Sequence, residues 1–236
     1  MVSAIVVAGG GGVRSAQFVP KQFLTVNDVP VIVYTMRNLQ NNTSIDNIVV
    51  VGPEGWENFI YTYAEQFGVT KLKKVVSGGA TRHASIYNGL LYLEETGIET
   101  KVCLVDANRP LIPESIISNV IALTDQCDCA MVLEPCYDSM FISEDGERVK
   151  GNVDRGMMYK QAGPECANLS TLLALYKNTD VNAACSLSTA GLAVSRGRKV
   201  LATKGHIKCF KITTADDFEL FKAFLSADPL LSRVVR

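Results

Sequence analysis

Histidine is nearly absent from this sequence of 236 residues, which contains only His83 and His206. A histidine-based catalytic triad or a histidine-rich metal cage therefore fits poorly. No CxxC spacing occurs among the seven cysteines (Cys103, Cys127, Cys129, Cys136, Cys166, Cys185 and Cys209). The one close pair, Cys127-x-Cys129, has neither a second pair nor a nearby histidine to complete a zinc site. An odd count, with several members inside apolar runs, reads as reduced cysteines behaving as small hydrophobes. Neither sign of charge dominates: 23 Lys+Arg stand against 24 Asp+Glu, a net charge of −1. Following a nucleic-acid backbone takes many clustered cations, and nothing here supplies that field. Any phosphate this protein handles is bound locally, by a few placed residues. Apolar runs such as 4–8 and 48–51 fall far short of the ~20 residues that span a bilayer. No positively charged leader follows Met1, so the expected location is the cytoplasm, with no membrane partner. Repeats and low-complexity linkers are missing too.

What is present is an ordinary globular composition, 47% hydrophobic and 20% charged. A chain of this length buries roughly 70% of its extended surface and needs no disulfide or metal to hold a core. Short apolar, β-branched runs at 3–8, 47–51, 73–77, 101–105 and 130–133 alternate with helix-like segments at 31–40, 54–67, 81–94 and 114–123. Strands that read as continuous apolar runs are buried on both faces, and their alternation with helices predicts βαβ units on a mostly parallel sheet. From Cys136 to about Gln161 the chain turns polar, and Glu144-Asp145-Gly146-Glu147 reads as a hairpin tip. Such an insertion, over about 137–161, predicts an arm protruding from the core, a kind of feature that usually serves function or a partner. A helix at 169–176, a strand at 199–202 and a final helix follow. That last helix opens with a capping box, Thr214-Ala215-Asp216-Asp217, and carries Phe218, Phe221 and Leu225 on one face. The whole of 1–236 reads as one α/β domain with an arm.

Three segments carry chemistry. The first leaves the first strand as Ala8-Gly9-Gly10-Gly11-Gly12-Val13-Arg14. A glycine-rich turn at the C-terminal end of a parallel strand is where open α/β sheets bind ligands, and it lets backbone N–H groups approach a phosphate. Neither G-x-G-x-x-G nor G-x-x-x-x-G-K-[ST] fits, so a dinucleotide fold and a P-loop ATPase are unsupported. Pro20-Lys21-Gln22-Phe23 follows instead. Arg14 and Lys21 together would clamp a triphosphate; the plainer alternative is a tight turn with solvated cations. The second segment, Gly78-Gly79-Ala80-Thr81-Arg82-His83-Ala84-Ser85, runs from a strand into a helix start. That is an anion or carbonyl site, or simply a capped helix. The third is Asp106-Ala107-Asn108-Arg109-Pro110 at the end of the fourth strand. Asp106 is well placed to hold Mg²⁺ among triphosphate oxygens, while Arg109 can equally pair with Asp106 or Asp154.

Together these segments, from Ile5 to about Phe221, resemble the cytidylyltransferases of the methylerythritol phosphate and ribitol phosphate type. The resemblance implies a Rossmann-like nucleotidyltransferase domain with a dimer-forming β-arm, hence a homodimer. It implies a reaction of CTP with a small polyol phosphate to give a CDP-polyol and pyrophosphate. The family's catalytic arginine and lysine fall on Arg14 and Lys21, and the lysine of its closing K-I/V-T falls on Lys211. Nucleotide contacts are implied for Ala8, Gly9, Gly10, Gly11, Gly12, Gly79, Ala80, Arg82, Ser85, Asp106 and Ala107, with Mg²⁺ on Asp106. Polyol phosphate contacts are implied for Arg109, Lys211 and, from the partner's arm, Ser139 and Arg155. The arm signatures read Asp138-Ser139 and Val153-Asp154-Arg155.

Three positions depart from the pattern. T-P-Q after the arm reads Gly163-Pro164-Glu165, an acidic T-D stretch reads Leu187-Ser188, and the asparagine two before the closing lysine is Cys209. All three lie toward the polyol side. Gly79-Ala80 and Lys211-Ile212-Thr213-Thr214 are closer to the ribitol phosphate branch, which makes ribitol 5-phosphate the favoured acceptor. Two rivals stand beside this reading: a non-catalytic CTP-binding homologue, and a nucleotide-sugar pyrophosphorylase using another nucleoside triphosphate.

Overall fold

The computed structural model describes residues 1–9, 19–183 and 185–227. In chain order the elements are β1 (Val2–Val7), β2 (Thr25–Val26), β3 (Val29–Pro30), α1 (Val31–Asn41), β4 (Asn47–Gly52), α2 (Glu57–Gln66), β5 (Leu72–Ser77) and α3 (Arg82–Glu95). Next come β6 (Lys101–Asp106), α4 (Glu114–Leu123), β7 (Cys129–Pro135), β8 (Met140–Ile142), β9 (Gly151–Val153) and β10 (Tyr159–Asn168). The chain closes with α5 (Leu169–Lys177), α6 (Thr189–Ser195), β11 (Val200–Lys204) and α7 (Ala215–Ala227).

Seven strands form one sheet in the order β11-β7-β10-β6-β1-β4-β5. Parallel pairings join β5 to β4, β4 to β1, β1 to β6 and β7 to β11. Only β10 runs against its neighbours, β6 and β7. Because side chains alternate across a strand, Ala4 and Val6 enter one apolar layer with Met36, Ile117 and Phe221. Ile5 enters the other, with Ile86, Leu90, Leu172 and Tyr176. Helices α1, α4 and α7 thus cover one face, and α3, α5 and α6 the other. β1, β4 and β6 are buried on both faces, as their unbroken apolar runs predict, whereas the edge strand β5 exposes Lys73 and Lys74 and β11 is only half buried.

Chain connections diverge on either side of β1, toward β4 and toward β6. A crevice forms beyond the carboxyl ends of strands at such a switch point. The arm is a hairpin, with β8 paired to β9 from Met140↔Val153 to Ile142↔Gly151. At its tip Gly146 takes φ +78°, and Asp145 Oδ1 accepts from the N–H groups of Glu147 (2.9 Å) and Arg148 (2.8 Å). The stalk differs from the expected boundaries. Residues 159–161 belong to β10, where Tyr159↔Pro135 and Gln161↔Leu133 pair it with β7. Capping on α7 is reciprocal as expected: Asp217 Oδ2 accepts from Thr214 N–H at 2.8 Å, and Thr214 Oγ1 accepts from Asp217 N–H at 3.3 Å. Among the described residues no helix is long and apolar enough to cross a membrane.

Candidate active site

At the carboxyl ends of β1, β5 and β6 lies a cleft of about 260 Å³. Its lining brings together Ala8, Gly9, Lys21, Gly79, Ala80, Arg82, Ser85, Asp106, Ala107 and Lys211, ten residues that the sequence points to separately. Gln22, Thr81 and Asn108 join them. Gly10, Gly11, Gly12 and Arg14 lie outside the described residues.

Close backbone approach explains the glycines. A β-carbon on Gly9 would sit 2.8 Å from Ser85 Oγ, and one on Gly78 would sit 3.3 Å from the Cα of Gly9. One on Gly79 would collide with Ala84. Ser85, buried, fills the space they leave: its Oγ accepts from Gly79 N–H (3.1 Å) and donates to Thr81 O (2.9 Å). Thr81 in turn caps α3, its Oγ1 accepting from Ala84 N–H at 2.9 Å, a contact worth about 1 kcal/mol. Across the cleft the Gln22 amide donates to Ala8 O at 2.6 Å, tying the 3₁₀ turn Lys21–Phe23 to the end of β1. Phe23 stacks on Trp56 with ring centroids 4.1 Å apart. The turn that carries Lys21 is thereby fixed at both ends.

Asp106 is the centre of charge. Its Oδ2 lies 3.0 Å from Lys211 Nζ and 3.2 Å from Arg109 Nε, and its Oδ1 lies 3.6 Å from Arg82 Nε. Burial works against ionisation, but Lys211, Arg82 and Arg109 outweigh it and hold this carboxyl well below the usual carboxylate range. Arg109 takes the first of its two expected pairings: besides Asp106, its Nη1 donates to Cys209 O. With the residue 8% exposed, its guanidinium supports Asp106 from the protein side. Asp106 is the only carboxylate on the described lining, and no cluster of three or more metal-ligating side chains occurs among the described residues. A single ionised carboxylate fits Mg²⁺, which is usually held by one or two carboxylates plus substrate phosphates and water.

Lys211 is placed by the backbone on either side of it. Asn108 Nδ2 donates to Ile212 O at 2.6 Å, and Ile212 N–H donates to Asn108 O at 2.9 Å. Together with the Arg109–Cys209 bond, these zip segment 209–212 onto the loop after β6. Cys209 is fully buried in that seam, where burial pushes its thiol up. Gly163, another departure from the family pattern, faces Val132, whose Cβ lies 3.0 Å from where a side chain would begin. Ser139 and Arg155 are outside the cleft. They line a concavity of about 550 Å³ on the arm, with Arg155 Nη1 donating to Tyr137 O at 3.1 Å.

Behind Arg82, His83 is 2% exposed. Its Nε2 contacts Leu187 O at 3.0 Å and its Nδ1 contacts the Tyr176 hydroxyl at 3.1 Å. A carbonyl only accepts, so Nε2 carries the proton; in the neutral ring Nδ1 then accepts from the Tyr176 hydroxyl, which leaves Tyr176 to accept from Thr189 Oγ1 (2.9 Å). Burial favours this neutral form. Burial, reinforced by Arg82, lowers its pKa from 6.5, although the Leu187 carbonyl opposes the shift. The unfolded chain therefore takes up a proton before the folded one does as the pH drops. This contribution to stability is fully present above pH 6.5 and is lost progressively below it. Thermal melts from pH 7 to 5 should show a loss of stability that His83→Gln, which keeps one donor and one acceptor, largely removes. An equal slope in both proteins would rule this origin out.

Residues 2–227 match the family model described as 2-C-methyl-D-erythritol 4-phosphate cytidylyltransferase. Among curated relatives, a ribitol-5-phosphate cytidylyltransferase from Lacticaseibacillus paracasei is 32% identical over 229 residues, covering 95% of this chain and 98% of the relative. A 2-C-methyl-D-erythritol 4-phosphate cytidylyltransferase from Geobacter metallireducens is 29% identical over 226 residues, covering 95% and 97%. The solved 4-diphosphocytidyl-2C-methyl-D-erythritol synthase from Anaerococcus prevotii shares the fold with a TM-score of 0.80 at 23% identity, covering 95% of this chain and 96% of that one. The chain is a nucleotidyltransferase and belongs to the 2-C-methyl-D-erythritol 4-phosphate cytidylyltransferase family.

Proposed function

We propose that this enzyme transfers a cytidylyl group from CTP to a polyol phosphate, with ribitol 5-phosphate the favoured acceptor and 2-C-methyl-D-erythritol 4-phosphate next. The observation that carries this reading is the convergence of Lys21, Asp106 and Lys211 on one cleft walled by glycine backbone. The acceptor preference is supported by relatives at 31–32% identity named for ribitol 5-phosphate, against 29–30% for those named for methylerythritol phosphate.

An acceptor phosphate oxygen attacks the α-phosphorus of CTP. The bond from that phosphorus to the bridging oxygen breaks, and pyrophosphate leaves with the electron pair. The attacking oxygen is already ionised, so no histidine base or covalent intermediate is required. Catalysis then rests on positioning and on charge neutralisation. Lys21, with Arg14 of the glycine loop, stabilises charge at the transferring phosphorus and on the leaving pyrophosphate. Arg82 and the backbone of Gly79 and Ala80 hold the nucleotide. Lys211 grips the acceptor phosphate, with Ser139 and Arg155 supplied by a second copy's arm. Asp106 would hold Mg²⁺, whose chemistry there is neutralisation of triphosphate charge.

Pyrophosphate release from CTP and Mg²⁺, with ribitol 5-phosphate, methylerythritol 4-phosphate and glycerol phosphate offered separately, tests the reaction. Release with ribitol 5-phosphate is expected, and silence with all three counts against the reading. The arm makes a separate prediction. Light scattering should give a dimer for the full chain and a monomer when 139–151 is replaced by a short turn. A full-length monomer at micromolar concentration would remove the role of Arg155 in a partner's site.

A further inference from the structure

In the turn that follows Asp106, nearly every backbone group has a partner inside the protein. Arg109 N–H donates to Asp106 O at 3.1 Å and closes a β-turn with Ala107 and Asn108 at its centre. Ala107 N–H donates to Val7 O at 3.0 Å, which carries the β1–β6 pairing past the end of the strand. Asn108 O accepts from Ile212 N–H at 2.9 Å. Ala107 O accepts from Thr35 Oγ1 at 2.8 Å, a bond that crosses from α1. One group is left over: Asn108 N–H has no acceptor among the described residues. Ala107 and Asn108 are 2% and 6% exposed, and a buried backbone N–H without an acceptor is rare in a folded protein.

Thr35 sets the direction of that N–H. A threonine inside a helix often returns its hydroxyl to the carbonyl one turn back. Thr35, buried, sends it to Ala107 instead. In a planar trans peptide the carbonyl oxygen and the N–H point opposite ways. The oxygen of the Ala107–Asn108 peptide is held toward α1, so its N–H points away from α1, to the side of the sheet where the start of α3 walls the cleft. Asn108 lines that cleft, yet its Nδ2 and its carbonyl are both engaged with Ile212. The N–H is the backbone group it has left to show there. Lys211 Nζ, 3.0 Å from Asp106 Oδ2, brings positive charge to the same end of the cleft. A backbone N–H beside an ammonium group suits an anionic oxygen.

We propose that Thr35 is a positioning residue: by holding Ala107 O toward α1, it presents Asn108 N–H to a phosphate oxygen of a bound substrate. This rests on the functional reading above and deepens it, adding a backbone donor beside Asp106 and Lys211. The phosphate belongs either to CTP or to the polyol phosphate, and the two are separated by varying each in turn.

The test compares wild type, Thr35→Val, Thr35→Ser and Asn38→Ala in steady-state kinetics and thermal melts. Valine keeps the shape of threonine but leaves Ala107 O buried without a donor, so the peptide loses its anchor. Serine keeps the hydroxyl. Asn38 donates Nδ2 to Ile112 O at 2.5 Å, so its loss loosens the same loop beyond the turn without touching this peptide. Removing a preorganised donor outright costs roughly 10²–10³-fold, and misaligning one should lower kcat/KM by ~10-fold in Thr35→Val. Thr35→Ser should stay within ~3-fold of wild type, and Asn38→Ala should melt earlier with wild-type kinetics. A loss when CTP is varied puts the phosphate on the nucleotide; a loss confined to ribitol 5-phosphate puts it on the acceptor. Wild-type kinetics in Thr35→Val, an equal loss in Asn38→Ala, or no recovery with serine would reduce Thr35 to a structural role and overturn the proposal. Should the valine variant not fold, the wild type decides. With asparagine labelled by ¹⁵N, the amide signal of Asn108, identified by its absence in Asn108→Ala, should shift downfield on adding CTP or ribitol 5-phosphate. A signal unmoved by both bound ligands would overturn the proposal. A wild type that binds neither ligand in calorimetry would instead overturn the functional reading beneath it.

Discussion

Asparagine in place of Asp106 is expected to lower kcat by about 10³-fold, because the cation that this carboxylate, the only one among the described lining residues, would hold would supply several kcal/mol of charge stabilisation. The charge pattern around it sharpens the expectation. Three cations, Arg82, Arg109 and Lys211, converge on Asp106, and Glu165 balances one of them. Removing the charge of Asp106 takes this cluster from a net of +1 to +2. Breaking a buried pair by deleting one partner costs roughly 3–5 kcal/mol, because the other charge stays behind. Arg82 and Lys211 retain about a third of their side-chain exposure and can solvate, so the lower end of that range is expected. Arg109 cannot, being nearly buried. The variant should therefore melt earlier and lose activity together. An Asp106→Asn enzyme with kcat within ~10-fold of wild type would take Asp106 out of the chemistry.

Most of this architecture was legible because the strands around the site are simple. Val2–Val7, Asn47–Gly52 and Lys101–Asp106 are buried on both faces and read as unbroken apolar runs. The first and the last of these end at the cleft, where Gly9 and Asp106 line it. β10 was not legible, and its residues explain why. Tyr159–Gln161 extends the polar arm, and Gly163-Pro164 is a strand-breaking pair. The strand tolerates them because they fall where pairing with β7 is interrupted. α6 is seven residues long with Gly191 inside, too short for a helical period to show.

The site was legible to the extent that motif and contact coincide. Lys21, Asp106 and Lys211 belong to recognisable motifs and meet in one cleft. Gln22 and Asn108 belong to the same motifs, but their side chains turn inward, to Ala8 O and Ile212 O, and act by placing Lys21 and Lys211. Glu165 and Ser188 read along the chain as two separate departures. In three dimensions they meet: Ser188 caps the helix whose Ala190 N–H reaches Glu165. A linear pattern records a changed letter at each position and cannot show that both belong to one contact.

Lys21→Ala should lower kcat by at least ~10²-fold, since one preorganised donor at developing charge is worth about 2.7–4 kcal/mol. Preorganisation is the physical content of that figure. Lys21 opens a 3₁₀ turn in which Gln22 is tied to Ala8 O and Phe23 is stacked on Trp56, so the ammonium reaches the cleft from a fixed base. Nearby Asp217 is held below its usual range; burial opposes this, but the Thr214 and Thr213 N–H groups and Lys21 itself outweigh it. Alanine leaves the backbone turn, the Gln22 tether and the stacked rings in place, so the melting temperature should barely move. If Lys21 acts chiefly on charge that develops during transfer, kcat and kcat/KM fall together while KM for CTP stays nearly constant. A rise in KM with unchanged kcat would assign Lys21 to ground-state binding of the triphosphate. Near-normal values of both would remove it from the mechanism and leave Arg14 and Lys211 as the cations that serve the reacting phosphates.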